Sequence, residues 1–405
     1  MASGIVGKPP KLADGGEVEI ATSPASRERF YLPALDTLRF FAFLCVFVSH
    51  LPFILTWQPA VIKNVVVRNT LAAGVFGVDL FFTLSAYLIT RLLLQERASS
   101  GKIHVLYFYI RRALRIWPLY FFFLAFGSVL LYFDSAFRFA ALEPKYLLLL
   151  AIFLGNFAPA NWMGSAYVLN HLWSVSVEEQ FYLCWPTAIR GASERGIKMT
   201  ALGLLVVASL ARVAAWLAGA SLRWIWTCTF TRLDPFAVGI LLGTVPYARV
   251  TSLRSHWRLG LLLAGFVAWG FAAYFEIPRV PKEAHIGLLL EYPLAAAGSG
   301  AFLLATLSTA GKSARFMTNR WLVYLGRISY GLYVYHLFVM VFTNHYLFPI
   351  FLGWFQDPPM WVGRLVYVSV SFSLTVFLAA VSYRWLESPF LKLKSRFTYV
   401  ESRPV

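Results

Sequence analysis

Residues 36–50 read DTLRFFAFLCVFVSH, a stretch that embeds Arg39 and His50 among Phe, Leu and Val. Eleven residues of an α-helix turn through about 1100°, so the two side chains return to nearly the same face, about 16 Å apart along the axis. The apolar flanks predict a helix in lipid, where ionisable side chains are costly and usually mark function. We therefore predict a membrane helix that binds a charged group at one end and transfers protons at the other.

The composition of the whole chain favours a membrane protein. Of the 405 residues, 59% are apolar and 14% are charged, whereas soluble domains carry about 25% charged residues. One further apolar run, residues 146–157, is too short to cross a bilayer core of about 30 Å. We predict an all-α polytopic membrane protein of about ten transmembrane helices plus this short re-entrant or interfacial segment. The predicted spans lie near 35–56, 71–93, 113–133, 169–189, 199–219, 226–246, 259–276, 286–308, 321–343 and 362–386.

The placement of Lys and Arg predicts the orientation of these spans. A net charge of +17 would suit a nucleic-acid partner, but in a membrane protein the excess is expected on cytoplasmic loops. With the short run left uncrossed, most basic residues outside the spans fall on one side, as in 91–115 and 190–198. We therefore expect no nucleic-acid partner, both termini in the cytoplasm, Arg39 near the cytoplasmic face and His50 in the outer half.

The chain divides into three predicted regions. Residues 1–30 are polar, lack the basic-then-apolar order of a signal peptide, and are expected to form a disordered cytoplasmic leader. Residues 31–391 form the membrane domain, and 392–405 a short basic cytoplasmic tail. The three cysteines show no CxxC spacing, and no HExxH motif occurs, so we expect no metal.

A basic cluster opens the third span, RRALRIWPLYFF at residues 111–122. Arg112 and Arg115 are three apart on one helical face, beside Arg111. Planar guanidinium groups bind phosphates bidentately, so with Arg39 they suit a nucleotide-phosphate ligand. The alternative is that they only anchor the helix by the positive-inside rule.

Carboxylates recur in two apolar segments. Asp79 lies in GVDLFFTLSAYLI, residues 77–89, and needs a partner in lipid, which a structural salt bridge would also supply. Ser85 of that segment is typical of helix packing. Glu178 and Glu179 lie in HLWSVSVEEQFYL, residues 171–183; they point about 100° apart, and the sequence does not decide which faces a cavity.

Later spans add further polar side chains. Arg232 and Asp234 lie in the outer half of the sixth span and can partner one another or other buried charges. His336 ends SYGLYVYH, residues 329–336, and its alternative is a packing role. In RWLESP, residues 384–389, Arg384 and Glu387 are three apart and predict a local ion pair.

Together these segments resemble acyltransferase family 3, integral membrane proteins that acylate sugars of surface polysaccharides, Nod factors and macrolides. The resemblance covers about residues 31–391. One departure is Ala86, where the family usually has Gly. We expect no soluble domain of the SGNH type that some larger members append. The motifs that carry it are the Arg-x10-His of residues 39–50, residues 77–89, the Arg-x2-Arg of 112–115, and residues 171–183, 329–336 and 384–389.

The resemblance implies an acyl-CoA donor, commonly acetyl-CoA, that enters from the cytoplasm. The acceptor would be a hydroxyl of a carbohydrate or glycoconjugate nearer the outer face of a bacterial inner membrane. His50 would be the central catalytic residue. The implied CoA-binding residues are Arg39, Arg111, Arg112 and Arg115, and the candidate acceptor-binding residues are His171, Trp173, Arg232, Asp234 and His336.

A neutral His50 imidazole would take the proton of the acceptor hydroxyl as general base. Glu178, Glu179 or Asp79 would orient the ring, as in a triad, and the three are left as alternatives. An acyl-histidine intermediate is the second route. Buried ionisable residues also suit a proton-coupled secondary transporter, although the matching half-repeats of such carriers are not seen. Acyl chain length, acceptor identity and assembly into a homo-oligomer stay open.

Overall fold

Helices make up almost all of the regular structure in a computed structural model that describes residues 31–54, 65–138, 141–251, 253–276, 284–354 and 359–397. Within those ranges no β-strand occurs, so the all-α prediction is confirmed. The leader and residues 398–405 of the tail lie outside the described residues, and the three-region division stays a prediction.

The helices follow one another, and short 3-10 or π-helical turns lie between some of them. Two of the turns are π-helical, Thr343–Leu347 and Tyr383–Glu387. The α-helices are α1 Pro33–Ile54, α2 Val65–Ala73, α3 Gly77–Ser100, α4 Val105–Phe133, α5 Pro144–Ala151, α6 Ala160–Ser165, α7 Trp173–Arg190, α8 Glu194–Leu217, α9 Leu222–Thr227, α10 Asp234–Thr244, α11 Tyr247–Thr251, α12 Ser255–Glu276, α13 Ala284–Leu307, α14 Gly311–Met317, α15 Arg320–Arg327, α16 Ser329–Phe342, α17 Phe348–Trp354, α18 Met360–Ser382 and α19 Ser388–Lys394.

The described part of the chain contains 8 helices that are long and apolar enough to cross a membrane, which confirms a polytopic membrane protein. They coincide with eight of the predicted spans. The other two predicted spans are not among these eight helices. Span 169–189 is a 3-10 turn followed by α7, which contains Glu178, Glu179 and Arg190 and is too polar for a long apolar helix. Span 226–246 is broken, and its apolar helix α10 has only 11 residues.

The short apolar run at residues 146–157 does not form a membrane-spanning helix. Residues 144–151 form α5, a helix of 8 residues, which is about 12 Å long and cannot cross a bilayer core. A 3-10 turn, Gly155–Phe157, follows it. The hydroxyl of Tyr120 in α4 donates to the Leu150 carbonyl at 2.8 Å, so the segment is fixed against the helix that carries the arginine cluster.

Small residues bring the central helices close together. A side chain at Gly77 would collide with the backbone of α1 at Ala42, and one at Gly239 would collide with the backbone of α3 at Thr83. Membrane helices gain van der Waals contact by such close approach, because lipid gives little hydrophobic force between them. α3 is therefore packed between α1 and α10.

The predicted ion pair in residues 384–389 is wrong. Arg384 lies 5.7 Å over the Trp385 ring, whereas Glu387 is 6% exposed, and no ion pair joins them among the described residues. The reason is the π-helical turn Tyr383–Glu387, whose wider spacing moves residues three apart onto different faces.

Candidate active site

Helix α1 fixes the His50 ring through its own backbone. The ring nitrogen Nδ1 lies 2.8 Å from the Val46 carbonyl oxygen, one helical turn earlier. A carbonyl oxygen only accepts, so Nδ1 carries the proton, and in the neutral ring Nε2 is the free acceptor. A histidine held in this tautomer is suited to take a proton through Nε2.

Two further histidines pack in line with His50. The His336 ring is 5.1 Å from the ring of His50 and 5.1 Å from the ring of His171, measured between centroids. His336 donates from Nδ1 to the Tyr333 carbonyl, and His171 donates from Nε2 to the Val334 carbonyl at 3.0 Å. The first, fourth and ninth predicted membrane segments therefore meet at one histidine cluster, His50, His171 and His336.

The partner of His50 differs from the expected carboxylate. The Val46 carbonyl occupies the position at Nδ1 where Glu178, Glu179 or Asp79 was expected to orient the ring. A residue in a helix has its i−4 carbonyl within reach of a downward-pointing side chain, so α1 supplies the orienting acceptor itself. Among the described residues, no group of three or more His, Cys, Asp or Glu side chains is arranged to hold a metal ion.

At the other end of the Arg39–His50 face lies a basic cavity, which encloses about 950 Å³ with its open mouth included. It is formed by α1, α3, α4 and the end of α19. Its charged lining residues are Asp36, Arg39, Glu96, Arg111, Arg112, Arg115 and Lys394. All four predicted phosphate-binding arginines are thus brought together.

These arginines differ in whether their guanidinium groups already form an ion pair within the protein. Arg39 pairs with Asp36 at 3.0 Å, and Arg111 pairs with Glu96 at 2.9 Å. No described residue forms a hydrogen bond or ion pair with the guanidinium groups of Arg112 and Arg115. Arg112 lies 5.3 Å over the rings of Phe108 and of Tyr182, contacts that leave its N–H groups available. Two guanidinium groups that face one cavity without a hydrogen-bonded partner favour an anionic ligand with more than one phosphate.

A second cavity continues from the first toward the histidine cluster. Arg39, Ser85, Arg112 and Arg115 line both cavities. Its side walls combine apolar and polar side chains, and its far end carries the hydroxyl groups of Ser174 and Tyr333. The remaining lining residues are Val78, Phe81, Phe82, Ile116, Val175, Glu178, Tyr182, Ser329 and Tyr330.

The two neighbouring glutamates face different surroundings. Glu178 lines the second cavity and accepts a hydrogen bond from Ser85 Oγ at 2.6 Å. Glu179 accepts from Trp117 Nε1 at 3.1 Å and does not line it. Glu178 is therefore the cavity-facing one, on the arginine side of Tyr333, rather than at the depth of His50.

Asp79 and three of its neighbours form a separate buried ionic core. Arg232 Nη2 donates to Asp79 at 2.9 Å, and Arg212 holds Asp234 through two nitrogen–oxygen contacts, at 2.5 and 3.2 Å. Trp173 stacks 5.8 Å from the Arg232 guanidinium. Neither cavity is lined by any of the five. Loss of one partner of such a pair costs roughly 3–5 kcal/mol, so this core holds α3, α8 and α10 together.

Sequence reasoning left out several residues that the structure places at these sites. Arg212, which pairs with Asp234, had the signal of a lone arginine inside an apolar span. Tyr333 and Ser174 stood within recognised motifs but carried no charge to mark them. Ser85, interpreted as a packing residue, hydrogen-bonds to Glu178 at the cavity wall.

The chain is similar to known acyltransferases over most of its length. A family model described as an acyltransferase domain matches residues 32–384. O-acetyltransferase OatA of Staphylococcus aureus strain NCTC 8325 / PS 47 is 28% identical over 390 residues, which cover 89% of this chain and 57% of the relative. OatA of strains COL and MRSA252 gives the same values. The chain thus spans somewhat over half the length of these relatives. No solved structure matches.

Proposed function

Because this chain belongs to the family of membrane acyltransferase domains, we propose that it transfers an acetyl group from acetyl-CoA to a hydroxyl of a carbohydrate or glycoconjugate. The observation that carries the proposal is that Arg112 and Arg115, whose guanidinium groups have no hydrogen-bonded partner among the described residues, line a cavity that extends toward the histidine cluster. The names of the OatA relatives support acetyl as the group and an oxygen as its acceptor.

The parts of the donor match the two joined cavities in their chemistry and in their order along the molecule. The CoA phosphates bind Arg112 and Arg115, with Arg39 and Arg111 adding positive charge at the mouth. The thin pantetheine arm follows the second cavity, where Glu178 accepts an amide N–H. This order gives the arginines and Glu178 binding roles and leaves proton transfer to His50.

The reaction is a direct acyl transfer. The acceptor oxygen attacks the thioester carbonyl carbon while its proton passes to His50 Nε2. Collapse of the tetrahedral intermediate breaks the carbon–sulfur bond, and the same proton passes from His50 to the CoA sulfur. The Val46 carbonyl keeps the tautomer that this sequence requires. His171 and His336 border the acceptor side, whereas Trp173, Arg232 and Asp234 support it from the ionic core.

The proposed setting is a bacterial cell membrane. The cavity lined by the arginines opens toward cytoplasmic acetyl-CoA, and His50 lies toward the outer face. The positive-inside distribution of the loops supports this orientation. Asp79 acts there as the counter-ion of Arg232.

Radiolabelled acetyl-CoA tests the activity. Purified protein in lipid nanodiscs is expected to move label from [1-14C]acetyl-CoA into isolated cell-surface polysaccharide, in a form released by mild alkali as an O-acetyl ester is. A proton-coupled transporter would leave the polysaccharide unlabelled, and that result with a range of glycan acceptors would overturn the proposal.

A further inference from the structure

The second cavity ends on a pair of hydroxyl groups. Tyr333 and Ser174 are 7% and 4% exposed, and both line the end away from the arginines. Their oxygens lie 2.7 Å apart. The Tyr333 oxygen also lies 3.1 Å from the His171 carbonyl oxygen, and the Ser174 oxygen lies 3.0 Å from it. Three oxygens thus form a closed triangle at the end of the cavity.

One of the two hydroxyl protons in this triangle can be donated to a ligand. The three contacts of the triangle share two hydroxyl protons, because the His171 carbonyl only accepts. Ser174 can donate to the Tyr333 oxygen while Tyr333 turns its own proton into the cavity, and the His171 carbonyl keeps the backbone N–H of Trp173 as a donor. No buried polar group then loses its last partner, so the donation carries no penalty for an unsatisfied group.

The triangle also stands next to the histidine cluster. The Tyr333 ring is 5.3 Å from the His171 ring and 5.5 Å from the His336 ring, and His336 contacts His50. A chain that enters past the arginines and fills the cavity reaches Tyr333 last. The group at the end of that chain meets one hydroxyl donor on the cavity side, with the histidines behind it.

We infer that Tyr333, supported by Ser174, is an oxyanion donor that hydrogen-bonds to the thioester carbonyl oxygen of the acyl donor. The inference rests on the proposed function, since it requires acyl-CoA in the cavity. As the acceptor oxygen forms its bond to the carbonyl carbon, the carbonyl electron pair moves onto oxygen, where Tyr333 stabilises it. The pair returns when the carbon–sulfur bond breaks and CoA leaves.

A vibrational measurement reads this hydrogen bond directly. Acetonyl-CoA, a ketone analogue that cannot be cleaved, is labelled with 13C at the carbonyl and bound to the protein. In Tyr333→Phe the carbonyl stretch is expected at higher frequency than in the parent, because the bond is less polarised. The same variant should lower kcat by about 10²–10³-fold, while the Kd for CoA changes less than about twofold.

Tyr335→Phe is the matched control, since it removes a hydroxyl from the same helix without lining the cavity. It should leave the carbonyl band and kcat near parent values, and Ser174→Ala should give an intermediate band shift. An unmoved band in Tyr333→Phe, with CoA still bound, would overturn this inference and leave the proposed function standing. A parent protein that does not bind CoA would overturn both.

Discussion

Replacing His50 with alanine is expected to lower kcat for acetyl transfer by about 10²–10⁴-fold, the usual contribution of a general base. His50 and His336 each donate from Nδ1 to a carbonyl of their own helix, which leaves Nε2 as the acceptor. His336 is fully buried, whereas His50 is half-buried, so His50 is the one that an acceptor hydroxyl can reach. The donor phosphates bind beside Arg39, which lies about 16 Å from His50 along α1. The Kd for CoA should therefore stay within about threefold of the parent value, a difference of less than 1 kcal/mol.

The measurement is initial-rate transfer of labelled acetyl groups at saturating donor, with CoA binding followed by calorimetry on the same preparation. His345→Ala is the matched control: His345 is exposed and lies outside the histidine cluster, so its loss should leave kcat unchanged. Transfer by His50→Ala at more than a tenth of the parent rate would show that another group removes the proton.

Replacing Arg112 and Arg115 together with alanine is expected to raise the Kd for CoA about 100-fold or more. Hydrogen bonds to charged groups contribute roughly 1.5–3 kcal/mol each, and these two guanidinium groups have no hydrogen-bonded protein partner to fall back on. The parent Kd should also weaken as salt is raised, whereas that of the double variant should change less, because the screened contacts are already gone.

Arg190→Ala with Arg195→Ala provides the control for this pair. Both residues are exposed and predicted to lie on the cytoplasmic side, so the double substitution removes the same charge without touching the cavity. If the two double variants bind CoA equally well, Arg112 and Arg115 are topology anchors and the donor binds elsewhere.

Much of the scaffold could be predicted because it depends on length and periodicity. The eleven-residue separation of Arg39 and His50 gives one helical face with a charge at each end, and α1 has both residues as expected. The cavity-facing arginines followed from the three-residue spacing of Arg112 and Arg115. Each of these inferences needs only the geometry of one helix.

What could not be predicted depends on how helices pack against one another. Asp79 pairs with Arg232, which is 153 residues away in sequence, and a span pattern does not reveal such a partner. The choice between Glu178 and Glu179 depends on the rotation of α7. The Val46 carbonyl was overlooked for another reason: carboxylates were sought as the partner of His50, although a backbone oxygen one turn away satisfies the ring equally well.

The most direct test of the donor route is the structure of the protein with CoA bound, by electron cryomicroscopy in nanodiscs. We expect CoA phosphate oxygens within hydrogen-bonding distance of Arg112 and Arg115. The sulfur should lie at the Tyr333 end of the second cavity, on the side of His50. Phosphates bound away from these arginines, or a sulfur that points out of the cavity, would contradict the route from the arginine pair to His50.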